Sequence, residues 1–316
     1  MKGLKNWGSS RTIRQYGDYM YLLCGTKTKV KRIQDGVQLD DLCECKMPCS
    51  IAFDRVGSYV AISDGKYGRI VVYKQGMPHE AVAVIKLPCK KEKYIGLEYD
   101  EVHSCFLAGV EDSLYRFTVS EATAKLIFKN NGSIFCGFSK SEAGILAFMS
   151  GESLKRDVII IQYNGDCCSA HTISCPDNES ISYAGSCVCY CDDGTVLFIS
   201  SDQRNKVLKV YNMKFNDDTE TIELMGEIQC DFVNITNCSI SPNKSFFIIM
   251  GFEAWTDIRN CELKMNLYDL KNDFKLLFSE KQKKYETAHF YADSMSVYVS
   301  GSYSSVVPIE SYVGNK

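Results

Sequence analysis

The chain has 316 residues, 45% of them apolar and 24% charged, with a formal net charge of -3. That balance excludes a disordered or fibrous chain. It also removes any general electrostatic attraction to nucleic acid or anionic lipid. The N-terminal MKGLKNWGSSRTIRQYG has no apolar core after its lysines, and no later run approaches the ~20 apolar residues of a membrane span, so a soluble, cytoplasmic protein is expected.

Taken in chain order, one pattern recurs: a short strand, a turn of about four residues, and a second, very apolar strand ending in Gly, Ser or Asp. Its copies are TIRQYGDYMYLLCG from Thr12, CSIAFDRVGSYVAIS from Cys49, IGLEYDEVHSCFLAG from Ile95 and FCGFSKSEAGILAFMSG from Phe135. CVCYCDDGTVLFISS from Cys187, CSISPNKSFFIIMG from Cys238 and AHFYADSMSVYVSG from Ala288 complete the series. The spacing of roughly 40 to 50 residues is the period of propeller blades.

A third strand follows each copy, as in KVKRIQ, RIVVYK, SLYRFTV, DVIIIQYN, KVLKVYNM, KMNLYDL and SVVPIES. After most of them comes a more polar fourth: VQLDDLC, VAVIKLP, AKLIFK, CSAHTISC, IELMGEIQ and FKLLFS. The expectation is therefore one all-β domain over residues 1–316, a seven-bladed β-propeller of four-stranded antiparallel blades. The last copy lacks its fourth strand, and GLKNW, with Trp7, is expected to supply it and close the ring; closure by the C-terminal tail is the alternative. Helix is nearly absent, with EKQKKYETA (Glu280 to Ala288) having the composition for no more than a turn or two.

In KMNLYDLKND the third strand ends on Tyr268-Asp269, which resembles the Trp-Asp ending of the WD-repeat propellers. SPNKSFFIIMG, from Ser241, is similar to the Ser-Pro-Asp-Gly turn and second strand of many propellers, lactonase-type ones included. No copy holds a true Trp-Asp or an opening Gly-His pair, so that family's hydrogen-bond network is not carried over.

Sixteen cysteines raise the question of metal. Cys187, Cys189 and Cys191 alternate along a strand, where same-face side chains stand nearly 7 Å apart, farther than the roughly 4 Å between sulfurs of a tetrahedral zinc site. They read as one copy of the repeat, and most other cysteines as small apolar filler in a reducing compartment. Cys43, Cys45 and Cys49 of CECKMPC, at the connection between the first two copies, are the alternative metal ligands, but no fourth ligand is evident. No cofactor is expected.

No G-x-S-x-G, P-loop or H-E-x-x-H motif occurs. Of four histidines, only His289 falls on an innermost strand, where it faces the channel or a neighbouring blade; it is the catalytic candidate if the chain is a hydrolase of lactonase type acting on a small ester or lactone. The favoured expectation is a non-enzymatic scaffold that binds a protein or peptide, with neither nucleic acid nor membrane as partner. In a propeller the turns between second and third strands open on one face with the connections between blades, and function concentrates in such loops. Trp255 and Arg259, in the longest of these, have the composition of a binding hot spot. With Tyr67, Lys155, Arg156, Arg204 and Tyr303 on neighbouring loops they suggest an aromatic, basic rim suited to an acidic segment.

Overall fold

A computed structural model describes residues 12–25, 27–39, 45–54, 58–74, 77–89, 93–121, 123–129, 138–140, 145–152, 155–164, 167–174, 187–190, 195–202, 206–216, 219–241, 243–253, 263–282, 285–290, 295–301 and 304–313. The chain divides into two compact units, one formed by Ser10–Ser153 with Asp157–Ile173 and the other mainly by Ser174–Lys316. Both are built from small antiparallel sheets whose strands are joined in sequence order.

The first unit opens with β1 (Thr12–Tyr16), β2 (Tyr19–Cys24) and β3 (Lys27–Arg32), a three-stranded sheet. Next come β4 (Pro48–Phe53), β5 (Tyr59–Asp64), β6 (Arg69–Lys74) and β7 (Met77–Lys86), then β8 (Gly96–Asp100), β9 (Cys105–Val110), β10 (Ser113–Phe117) and β11 (Lys125–Lys129), each set a four-stranded sheet. A further four-stranded sheet is β12 (Phe138–Lys140), β13 (Ile145–Glu152), β14 (Lys155–Asn164) and β15 (Cys167–Ser174). In the second unit β16 (Cys187–Tyr190), β17 (Thr195–Asp202), β18 (Val207–Asn216) and β19 (Thr219–Gln229) form one sheet. The others are β20 (Asn234–Ile240), β21 (Phe246–Phe252), β22 (Leu263–Asp269) and β23 (Lys275–Gln282), and the three-stranded β24 (Tyr285–Phe290), β25 (Ser296–Gly301) and β26 (Ser305–Pro308). One short helix, α1 (Glu310–Val313), follows.

Every repeat copy thus becomes a hairpin, with its third strand added to the same sheet. The second strands are the most apolar because both their faces are covered. All six residues of β9 are buried, as are the central residues of β2, β5, β21 and β25. The cover comes from the next sheet. Val60, Ile62 and Val71 pack with Tyr21, Leu23 and Val30, while Ala61, Ile70 and Val72, on the opposite face, pack with Leu97, Phe106 and Phe117. In the second unit Ile199 and Val210 meet Phe247 and Ile249, and Ile248 and Met250 meet Val297 and Val299. The period-two alternation of a strand sends successive side chains to opposite neighbours, so a sheet between two others reads as continuously apolar.

The turn from first to second strand uses a shared device. In the β4–β5 turn Asp54 Oδ1 accepts from the N–H groups of Ser58 (2.8 Å) and Tyr59 (2.9 Å), four and five residues on. At the same place in the β20–β21 turn Ser241 Oγ accepts from Ser245 (3.1 Å) and Phe246 (2.9 Å), also four and five residues on. Asp100, at the start of the β8–β9 turn, accepts from Val102 N–H (3.0 Å) and pairs with His103 Nδ1 (2.7 Å). A short acceptor at the first turn position satisfies backbone donors that the ladder has released.

Several expectations change. EKQKKYETA carries no helix among the described residues: Glu280 to Gln282 continue β23, where Lys281 pairs with Lys264, and Tyr285 opens β24 opposite Gly301. Strand partners satisfy this backbone better than a polar helix lacking an apolar stripe would. SVVPIES ends as strand at Pro308, and α1 follows, with Tyr312 packed on Phe278 at 4.7 Å between ring centres. In the first sheet the fourth strand VQLDDLC is reduced, within the described residues, to a single bridge from Gln38 to Lys31. Three strands are described in the seventh sheet, as read from the sequence; GLKNW lies outside the described residues. Tyr268, at the WD-like position, is buried with its ring stacked on Phe247 and its hydroxyl accepting from Asn266 Nδ2 (2.9 Å). Burial pushes its phenol up. No described helix is long and apolar enough to cross a membrane.

Candidate binding face

The tight turn Gly65–Gly68 joins β5 to β6 and carries Tyr67. Its anchor is Asp64, whose side chain is wholly buried. Oδ1 accepts from the N–H groups of Met47 (3.0 Å) and Lys66 (3.2 Å), and Oδ2 from Lys46 N–H (3.2 Å) and Arg69 Nε (3.3 Å). One carboxylate therefore ties the turn to the segment entering β4. Gly65 draws in a third segment: an ideal Cβ there would stand 2.2 Å from the Lys93 carbonyl oxygen and 2.3 Å from Met47 Cε. Only the lack of a side chain admits this approach.

The junction presents two exposed tyrosines. Tyr67 is 47% exposed, with the Arg69 guanidinium 4.9 Å over its ring centre. Tyr94, next to Lys93, is 62% exposed, with its hydroxyl hydrogen-bonded to the Ser50 side chain. Burial, then the neighbouring Cys49, pushes its phenol up, while Arg14 and Ser50 act the other way. The bond to Ser50 holds one end of an exposed ring, so Tyr94 offers an anchored surface at low entropic cost.

Around these rings stand Lys46, Lys66, Arg69 and Lys93. Of the acids beside them, Asp64 is buried and committed, and Glu111 pairs with Lys93 at 3.1 Å. Asp112, in the β9–β10 turn with Glu111, lies 3.8 Å from Lys129. Lys46 and Lys66 are exposed.

Tyr67 is thus placed in an exposed turn, as expected. Lys155 and Arg156 are not loop residues: β14 begins at Lys155, so both belong to the strand, because the β13–β14 hairpin extends two residues farther than its apolar run. Trp255, Arg259, Arg204 and Tyr303 lie outside the described residues. His289 lies on β24 opposite Tyr298 and is half-buried. Cys45 is buried with Tyr21, Leu23 and Ile51, and the Cys49 thiol donates to the Met47 carbonyl oxygen (3.3 Å); Cys43 lies outside the described residues.

Tyr94, Lys93 and Lys46 were missed from sequence. A signal existed in KKEKYIG, a basic run ending in an aromatic just before a repeat copy. Nothing local in it reveals that Lys93 meets Gly65, 28 positions earlier.

No family model matches the chain, and no curated protein matches it. Among solved structures, a chain of Kuenenia stuttgartiensis hydrazine synthase is similar, with a TM-score of 0.70 over 92% of each chain and 8% sequence identity. At that identity the likeness concerns the fold. Since 934 solved chains match, it constrains architecture and leaves the chemistry open.

Proposed function

We propose that the chain is a single seven-bladed β-propeller, each sheet one blade, acting as a cytoplasmic, non-enzymatic scaffold that captures an acidic segment of a protein or peptide. The observation that carries this reading is the junction at Gly65 and Lys93, which sets two exposed tyrosines among exposed lysines on rigid turns. Aromatic rings supply contact area, and the cationic side chains beside them, Lys46, Lys66, Arg69 and Lys93, favour an acidic partner. Trp255 and Arg259 belong to the same reading on sequence grounds and call for their own variants.

The test is fluorescence polarisation of the full chain with labelled Asp/Glu-rich, neutral and Lys-rich peptides of one length. Preference for the acidic peptide, weakening with salt, supports the proposal. Tyr94→Ala and Tyr67→Ala are each expected to weaken binding about tenfold, as hot-spot aromatics do. Equal affinity for the three peptides, or variants indistinguishable from the parent, would remove this face. Turnover of an ester or lactone panel that disappears in His289→Ala would put a hydrolase in its place.

A further inference from the structure

Lys93 touches two turns at once. Its carbonyl oxygen faces Gly65 in the β5–β6 turn, and its Nζ pairs with Glu111 Oε1 (3.1 Å) in the β9–β10 turn. The two turns hold the same place in successive sheets, each joining a second strand to a third. One lysine therefore connects the turn that carries Tyr67 to an acid supplied by the next sheet.

Glu111 occupies a backbone conformation that its residue type does not favour. Val110 pairs with Ser113, so Glu111 and Asp112 form a two-residue hairpin loop, and Glu111 has a φ of 53°. A positive φ in such a loop suits Gly, Asn or Asp, and a glutamate there is strained. Strain of this kind persists where its surroundings hold it, and it clusters at functional sites. Here the Glu111 carboxylate reaches the ammonium that stands beside Tyr94. Its neighbour Asp112 is engaged elsewhere: Oδ1 accepts from Ser113 Oγ (2.7 Å), and Oδ2 lies 3.8 Å from Lys129 Nζ.

The pair is weak enough to exchange. The Lys93 and Glu111 side chains are 43% and 37% exposed, so water and salt screen their attraction and either end can turn to another partner at little cost. A carboxylate set on Lys93 beside an exposed ring is also what an acidic segment would present to this face.

We infer that Glu111 is a built-in competitor for the acidic segment: in the free chain it occupies Lys93, and on binding a carboxylate of the partner takes its place. This rests on the reading of the Tyr67 and Tyr94 face as an acidic-peptide site. Because Glu111 is tethered, an isolated carboxylate competes poorly with it. A segment that also contacts the rings or the other lysines competes well, so the device selects clustered contacts over single charges.

The test is fluorescence polarisation of the full chain with the Asp/Glu-rich, neutral and Lys-rich peptides. Glu111→Gln removes the competing charge and is expected to tighten the acidic peptide about twofold to fivefold, the worth of an exposed ion pair. Glu111→Gly, which suits the loop conformation, should change affinity in the same direction. Asp112→Asn removes the same charge one residue along without releasing Lys93, and should give a smaller gain. In a Lys93→Met background Glu111→Gln should give none, since the cation it competes for is gone. Equal gains from Glu111→Gln and Asp112→Asn, a gain that survives in Lys93→Met, or no tightening in the Glu111 variants would overturn the inference and leave the acidic-peptide face standing. A parent chain with no preference for the acidic peptide would overturn the face itself, and the inference with it.

Discussion

Asp64→Asn isolates the contact on which the Tyr67 turn depends. Both carboxylate oxygens are used, each by two donors. An amide keeps one oxygen and turns an NH2 group toward the other pair. The cheaper orientation keeps Met47 and Lys66 bonded and sets the amide against Lys46 N–H and Arg69 Nε. Arg69 is about a quarter exposed and can recover water, so its loss is discounted; the Lys46 N–H is left facing a donor. One orphaned backbone donor plus a weakened charged contact costs roughly 2–3 kcal/mol, or about 30-fold to 160-fold in local opening. Hydrogen exchange read by NMR at the Lys46, Met47 and Lys66 amides measures this directly. Arg69→Met, which leaves every acceptor in place, should change Met47 and Lys66 exchange by no more than about threefold. If Asp64→Asn leaves all three amides within about threefold of the parent, the carboxylate does not organise this junction.

Three other outcomes are expected. Gly65→Ala drives its Cβ into the Lys93 carbonyl oxygen and Met47 Cε, which should cost about 1–3 kcal/mol of overpacking and lower the thermal midpoint; a midpoint equal to the parent's would mean the approach is not tight. Ser241→Ala removes the acceptor for Ser245 and Phe246 and should destabilise the β20–β21 hairpin by about 1–3 kcal/mol, seen as faster exchange at Phe246. Cys230, whose thiol is pushed up to about 11 by burial, should resist iodoacetamide in the native protein at pH 8 and react on unfolding, as mass spectrometry would show. Because this thiol's folded value lies above its ordinary 9.0, the stability linked to it is fully present below pH 9 and declines as pH rises toward 11.

The architecture was legible because its signals are local. Hairpins such as Cys49 to Ser63 and Ile95 to Gly109 carry their own turn residues and their own apolar second strand, and the structure pairs Ala52 with Ala61 and Leu97 with Ala108 accordingly. Asp54 and Ser241 stand at one repeat position, which an aligned reading of the copies exposes. EKQKKYETA is the opposite case: its composition is indifferent, and its described ends are held by distant strands, Lys281 by Lys264 and Tyr285 by Gly301.

The sequence by itself therefore determined the strand order, the pairing partners and the apolar rank of each strand, because antiparallel neighbours in this chain are also neighbours in sequence. Only the tertiary structure decided which connections meet, since the closeness of Gly65 to Lys93 depends on how one sheet packs against the next. That packing is set by the summed shapes of buried side chains on two sheets, and no single stretch carries a record of it. For this reason Tyr67 could be read as an exposed turn residue from SDGKYG alone, while Tyr94 became its partner only once β4 and β8 lay side by side.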